Sequence, residues 1–178
     1  GNTQLDGVVG GTSALSSLHT NAGGHVLMNG GAVNTTGAQS YDEAITLGAH
    51  TTLTSTTGAA GIHFARAIDG AYDLTVDTNG MTTIDGAVEV RSLTVTGAST
   101  HTGGEVQTTQ AQTYGGVITL GANTSLRSLL STIHFVGITD ASGSYNLDMQ
   151  SYTEQVLAAV DIGGNLHITT QATGVTQQ

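Results

Sequence analysis

The chain lacks four residue types altogether: its 178 residues include no cysteine, proline, tryptophan or lysine. Without cysteine, disulfide bonds cannot stabilise the fold. The absence of proline suits strands with a neighbour on each side, because such strands need every backbone N–H group for hydrogen bonding. Charged residues make up 9% of the chain, well below the roughly 25% of ordinary globular domains.

Positive charge is also scarce. Apart from histidine the basic residues are Arg66, Arg91 and Arg127, against 13 acidic residues, which gives a formal net charge of −10. Binding to nucleic acid needs a basic surface, so we expect no nucleic-acid partner. Anionic membrane surfaces are disfavoured for the same reason, and no apolar run is long enough to span a bilayer. We therefore expect no membrane insertion by this segment.

A block of sequence returns at a constant offset. Tyr41 is matched by Tyr114 and Leu53 by Leu126, together with most of the residues around them, and both pairs give an offset of 73. A fixed internal period predicts a repeat architecture. The predicted organisation is a single solenoid segment, residues 1–178, with copies at about residues 1–34 (partial), 35–107 and 108–178.

Short alternating segments recur between turns that contain Gly or Asn, such as residues 73–80 and 92–97. Their apolar-polar alternation and β-branched residues predict strands with one face buried. Helices are disfavoured because Thr and Gly are weak helix formers. The sequence spacing is 21 from Leu53 to Leu74 and 19 from Leu74 to Leu93, so the repeat period holds three or four coils of roughly 18–24 residues.

These observations predict an all-β fold, a right-handed parallel β-helix (β-solenoid). An antiparallel β-sandwich would also give short alternating strands, but it does not predict the self-match at a fixed offset. In a solenoid the central apolar residues stack along the axis. The predicted core residues are Leu53, Leu74, Val76, Leu93, Val95, Leu126, Leu147 and Leu166.

The repeated block is similar to a known style of sequence. At residues 37–53 and 110–126, the pattern Ala-Gln-Ser/Thr-Tyr followed by Ile-Thr-Leu-Gly-Ala resembles the β-strand repeats of large bacterial surface proteins, the filamentous-haemagglutinin-like and autotransporter-like adhesins. The resemblance implies a long right-handed β-helix that is exported and displayed on the cell. Because no secretion domain is visible in these residues, export is implied by the resemblance alone.

The function that we expect is mechanical: a structural repeat segment of a large secreted or cell-surface bacterial protein, acting as a stiff stalk, a fibre or an adhesive surface. The expected location is extracellular or on the cell surface. A host or neighbouring-cell surface, a glycan and end-to-end self-association are the candidate partners. Two alternatives stay open, a carbohydrate-active β-helix enzyme and a self-assembling filament subunit, the second because excised solenoid ends expose unpaired strand edges.

No metal or cofactor is predicted. The seven histidines form no HExxH motif and there is no cysteine to assist them. His63 and His134 occupy matching places in Ile-His-Phe segments, which predicts a separation of roughly 14–19 Å along the axis at the spacing of stacked strands. Asp69-Gly70 and Asp85-Gly86 are typical of turns, and the pattern of calcium-binding β-rolls is missing.

No catalytic residue is predicted, and the expected answer on enzymatic activity is no. Glycoside hydrolysis needs two carboxylates at a defined separation. Asp42 and Glu43 are adjacent in sequence, so in a strand they face opposite sides. Gly115 and Gly116 replace them in the second copy.

Two residue types invite a functional interpretation. Thr54, Thr75 and Thr94 follow central apolar residues in successive segments, but other residues replace Thr in the rest of the series, which disfavours ice binding. Tyr41 and Tyr114 recur at matching positions. We expect these rings to pack at a corner of the solenoid rather than to form a sugar-stacking platform.

Overall fold

The computed structural model describes residues 1–58, 60–101, 104–153 and 159–171, which form one sheet of 19 strands with parallel pairing between neighbours. No helix occurs among the described residues. The strands are β1 (Thr3–Leu5), β2 (Leu18–Thr20), β3 (His25–Met28), β4 (Ala32–Thr35), β5 (Gln39–Tyr41), β6 (Ala44–Leu47), β7 (Thr51–Ser55), β8 (Ile62–Phe64), β9 (Ile68–Thr78), β10 (Thr82–Ile84), β11 (Val88–Val95), β12 (Ser99–His101), β13 (Glu105–Thr108), β14 (Gln112–Leu120), β15 (Thr124–Ser128), β16 (Ile133–Asp140), β17 (Leu147–Ser151), β18 (Ala159–Asp161) and β19 (Leu166–Thr170).

The strands stack into a solenoid of about eight coils with three faces. The first face holds β1, β3, β6, the starts of β9 and β11, β13, β15, β17 and β19. The second face holds β4, β7, the ends of β9 and β11, and the starts of β14 and β16. The third face holds β2, β5, β8, β10, β12, the ends of β14 and β16, and β18.

The predicted parallel β-helix is confirmed, and the sandwich alternative is excluded because the paired strands run parallel. The sequence spacing between residues paired in the strands ranges from 17, as for Thr82 and Ser99, to 23, as for Thr3 and Val26. Alternation along each strand places one side chain inside and the next outside.

Seven of the eight predicted core residues are buried: Leu53, Leu74, Val76, Leu93, Val95, Leu126 and Leu147. The prediction is wrong for Leu166, which is 43% exposed. Leu166 stacks on the buried Leu147 in β17, but no described strand lies on its other side. A core position in a solenoid is covered only when a coil lies both above and below it.

The central leucines do not form a single column. Leu74 stacks on Leu93, but Leu53 stacks on Val76 rather than on Leu74. Leu126 lies on the first face, where it pairs with Met149 of the next coil. The leucine spacing thus predicts the coil length correctly, but it treats leucines of two different faces as one column.

The sequence repeat is out of phase with the coil. Tyr41 lies on the third face and stacks on Phe64, whereas Tyr114 lies on the second face and stacks on Phe135. From β5 to the start of β14 the chain advances by eleven faces, with β9 and β11 each counted on two faces. Because one coil has three faces, this advance equals three and two-thirds coils. The repeated unit is therefore the strand with its corner, and the second copy is rotated by one face. Residues 59, 102–103, 154–158 and 172–178 of the predicted copies lie outside the described residues.

Candidate functional site

A buried polar cluster explains what the repeat preserves. In the first copy Gln39 Nε2 donates to the carbonyl oxygens of Val33 (3.2 Å) and Thr54 (2.9 Å). Tyr41 donates its hydroxyl to Gln39 Oε1 at 2.8 Å. The amide is thus used at both ends, as donor to the backbone and as acceptor from the ring.

The second copy repeats these contacts one period later. Gln112 Nε2 donates to the carbonyls of Val106 (3.0 Å) and Arg127 (2.8 Å), and Tyr114 donates to Gln112 Oε1 at 3.2 Å. The accepting carbonyls belong to stacked strands, Val33 and Thr54 in β4 and β7, and Val106 and Arg127 in β13 and β15. Each buried amide therefore links two neighbouring coils beside a corner.

A serine completes each copy of the cluster. Ser55 donates to the Gly37 carbonyl at 2.9 Å, and Ser128 donates to the Gln110 carbonyl at the same distance. We call the two groups the corner clusters, because each fills a corner between two faces. Each consists of one glutamine, one tyrosine, one serine and the backbone carbonyls that they satisfy.

Both tyrosines are fully buried, which rules out a sugar-stacking platform on either ring. Burial raises the pKa of Tyr41 and of Tyr114 well above the ordinary value. Tyr41 stacks face to face on Phe64 with ring centroids 5.5 Å apart. The Tyr114 ring instead meets His101 edge-on, also at 5.5 Å. The corner clusters are structural elements of the rod.

His101 is the buried titratable base of the core. It is 1% exposed, and its imidazole has a 3.4 Å hydrogen bond with the Ser99 hydroxyl. Burial lowers the pKa of His101 from 6.5 to about 4, because a charged imidazolium is poorly solvated in an apolar interior. Its counterpart one repeat period earlier is the buried Met28.

Histidine and aspartate pair on the outside of the rod, between neighbouring coils. The closest contacts are His63 to Asp85 (2.8 Å), His19 to Asp42 (2.9 Å), His50 to Asp73 (3.0 Å) and His167 to Asp148 (3.2 Å). The hydrogen bond from His19 lowers the pKa of Asp42. Exposed pairs of this kind contribute little to stability.

The histidines do not converge on a metal site. His63 lies on the third face and the matching His134 on the second face. In the part of the chain that the structure describes, no group of three or more His, Asp or Glu residues could hold a metal ion. The same described residues contain no helix that could cross a membrane.

The side chains of the adjacent acids Asp42 and Glu43 lie in different surroundings. Asp42 contacts His19 at the surface, whereas Glu43 is 3% exposed and neither of its carboxylate oxygens has a hydrogen-bond partner among the described residues. Glu43 lies against Gly24, where an added Cβ would meet Glu43 Oε1 at 2.5 Å. One carboxylate is therefore at the surface and the other is buried.

Outward threonines stack in two ladders, each four coils long. The series predicted from the sequence, Thr54, Thr75 and Thr94, is wrong, because Thr75 pairs with Thr52 and Thr54 pairs with Asp77. The ladders are Thr52, Thr75, Thr94 and Thr113 on the second face, and Thr83, Thr100, Thr119 and Thr139 on the third. Stacked hydroxyls can satisfy one another, as Thr119 and Thr139 do at 3.5 Å.

A groove at the corner between the first and second faces is large enough for a small ligand and is lined by charged side chains. It has a volume of about 460 Å³ and is lined by Asp69, Gly70, Ala71, Glu89, Val90, Arg91 and Thr109. We call it the Asp69–Glu89 groove. β11 passes this corner without a turn and is one residue shorter there than β9. Arg91 is the single residue opposite Ala71 and Tyr72 of the preceding coil, and the shorter path leaves a recess. The following coil passes the same corner with a longer connection, residues 109–111.

The groove places two carboxylates on consecutive coils. Glu89 pairs in register with Asp69, and strands of a sheet lie about 4.8 Å apart. Thr46 donates to Asp69 Oδ1 at 2.8 Å and Gln107 donates to Glu89 Oε1 at 3.3 Å. Each carboxylate is thus oriented by a hydrogen bond from the neighbouring coil. Each can still accept further hydrogen bonds, because a carboxylate has two oxygens.

Arg91 supplies the positive charge of the groove. Its guanidinium donates to Asp73, which also accepts a 2.6 Å hydrogen bond from Ser92. Partial burial raises the pKa of Asp73, but the hydrogen bonds from Arg91 and Ser92 and the charge of Arg91 outweigh burial and lower it. Arg91 has further donors beyond the one directed at Asp73.

Sequence reasoning missed this groove because it searched for acids that are close in sequence. Asp69 and Glu89 are separated by one whole coil of the chain, and only the register brings them together. The predicted turn at Asp69-Gly70 is also wrong, since both residues lie within β9. Gly70 bends that strand with a φ of +134°, and a Cβ there would meet the Leu47 carbonyl oxygen at 2.6 Å. Asp85-Gly86 does lie between two strands.

Comparison with known proteins adds no relative. No protein-family model, no curated protein and no solved structure matches the chain.

Proposed function

We propose that the chain is a structural segment of a large secreted or cell-surface bacterial protein, where it acts as a stiff stalk or fibre and offers an adhesive surface. The observation that carries the proposal is the continuity of one parallel sheet and one core through about eight coils. In such a solenoid each coil is held by its neighbours, so bending or extending the rod breaks many ladder hydrogen bonds together.

The buried corner clusters support the same role. Each cluster joins neighbouring coils beside a corner. Gln39 and Gln112 donate from inside the core to carbonyl oxygens of two stacked strands, and the serines donate to carbonyls of the corner itself. The side chains that the repeat retains in both copies therefore serve rigidity rather than a reaction.

The sequence resemblance to bacterial surface repeats supports the location. The low content of charged residues and the absence of cysteine are compatible with an exported rod. The proposed partner is the surface of a host or neighbouring cell, and the chain itself is proposed to act without catalysis.

Labelling of intact cells tests this proposal. In the organism that carries the chain, antibodies raised against the purified segment should label intact cells, and external protease should remove the label while a cytosolic marker stays intact. Label that appears only after lysis would contradict it. For the mechanical role, the purified segment should resist limited proteolysis, and the destabilised variant Gln39→Leu serves as the matched control.

A further inference from the structure

We propose that the Asp69–Glu89 groove binds a neutral glycan. This inference is independent of the stalk role, since a rod can be displayed without binding a sugar and a glycan site can exist without surface display. The groove volume of about 460 Å³ lies within the range of roughly 300–1,000 Å³ typical of small-ligand sites.

The polar groups of the groove match the hydroxyls of a sugar. Each sugar hydroxyl both donates and accepts, so it needs acceptors and donors within the same recess. Asp69 and Glu89 supply acceptors, and Arg91 supplies donors. Hydrogen bonds to charged groups are stronger than those between neutral groups, which favours a ligand rich in hydroxyls.

The charge of the groove selects the class of glycan. Arg91 is already paired with Asp73, so Asp69 and Glu89 give the recess a negative potential. Glycans that carry uronate or sulfate groups are therefore disfavoured.

The like charges of the acidic pair carry a cost for the fold. Like charges directly opposite one another on neighbouring strands destabilise a sheet, and Asp69 and Glu89 are such a pair. One repeat period further on, their places are taken by Ser142 and Ile162, so the repeat does not preserve the pair. A like-charge pair that costs stability and is not kept in the other copy is expected at a binding site.

The test uses the full chain on an array of neutral, uronate-bearing and sulfated oligosaccharides, followed by calorimetric titration of the tightest neutral oligosaccharide. We expect neutral ligands to bind, and sulfated or uronate-bearing ligands to bind at least tenfold more weakly. Absence of any neutral ligand on the array, or preference for an acidic one, would overturn the proposal.

Substitutions in the groove separate binding from folding. Asp69→Asn and Glu89→Gln should each weaken binding about tenfold or more, in line with loss of a charge-assisted hydrogen bond. The same variants should melt at the same temperature as the parent chain or higher, because they remove like-charge repulsion.

The matched control is Asp77→Asn, at an exposed acid on the second face that accepts a hydrogen bond from Thr96. This variant should leave binding unchanged, because the residue lies outside the groove. Unaltered affinity in both groove variants, or a matching loss in the control, would refute the assignment.

Discussion

The two corner clusters keep the same polar side chains at different corners of the solenoid. In the first cluster the Tyr41 ring stacks on Phe64, and the hydroxyl reaches Gln39 at 2.8 Å. In the second the Tyr114 hydroxyl is 3.2 Å from Gln112, and the ring meets His101 edge-on. The hydrogen bond between tyrosine and glutamine is thus kept in both clusters, while the ring contacts of the tyrosine differ.

The largest effect is expected when the glutamine amide is removed. Gln39→Leu and Gln112→Leu should each lower the free energy of unfolding by about 4 kcal/mol, because at least three buried hydrogen bonds are lost at once and a buried tyrosine hydroxyl is left without its acceptor. Urea denaturation followed by circular dichroism measures the loss. A loss below about 1 kcal/mol in either copy, the net worth of a single hydrogen bond, would show that the cluster does not hold its corner.

The second effect is a pH dependence of the stability that arises from His101, the residue that meets the Tyr114 ring of the second cluster. The pKa of His101 is lowered to about 4 in the folded chain, against 6.5 for the unfolded chain. Between these values the unfolded chain binds a proton at His101 that the folded chain does not. Stability should therefore fall by about 3 kcal/mol as the pH drops from 6.5 to 4, and then level off.

The control for this titration is supplied by the first copy, which has Met28 at the matching position. His101→Met should abolish that part of the acid destabilisation while the chain stays folded at neutral pH. Urea denaturation at a series of pH values gives the difference between the parent chain and the variant. A difference that stays constant through the acid range would contradict the burial of a neutral imidazole.

A smaller effect is expected from the tyrosine hydroxyls. Tyr41→Phe and Tyr114→Phe each leave a buried amide oxygen without its donor, at a cost of about 1–2 kcal/mol. The loss should be greater for Tyr41, whose hydrogen bond is the shorter one. Equal melting temperatures for Tyr41→Phe and the parent chain would argue against this bond.

The serines of the clusters should matter least among the polar side chains. Ser55→Ala and Ser128→Ala each remove a hydrogen bond of 2.9 Å to a corner carbonyl, which is worth about 1 kcal/mol. Because the two sites are far apart, the effects on the free energy of unfolding should add in the double variant. A double variant much less stable than the sum would indicate coupling along the rod.

Metal removal should have no effect on either copy. His63 and His134, the matching histidines of the two copies, lie on different faces. Incubation with EDTA should leave the melting temperature unchanged, and a drop of several degrees would reveal a structural metal.

The coil length and the core could be predicted because each depends on local pattern. Alternation marks which residues face inward, and the spacing from Leu74 to Leu93 is one true coil. The faces could not be predicted, since a corner can absorb extra residues without changing the alternation on either side. This is why Leu53 was matched with Leu74 although it stacks on Val76.

The groove lay beyond sequence reasoning for the same reason. Asp69 and Glu89 become neighbours only through the register of β9 and β11, and the recess exists only because one corner is shorter than those beside it. The buried state of Gln39 was equally hidden, because glutamine is usually a surface residue. The repeat of Gln and Tyr at a fixed offset was the available indication.

The rotation of the repeat by one face has a consequence for any array built from this unit. Each duplication shifts the motif by eleven faces, so three duplications bring it back to the starting face after eleven coils, a rise of roughly 53 Å. Successive copies would wind round the rod as a spiral staircase. A surface feature gained in one copy and spread by duplication would then be displayed in every direction around the axis, even though the backbone itself has only three sides.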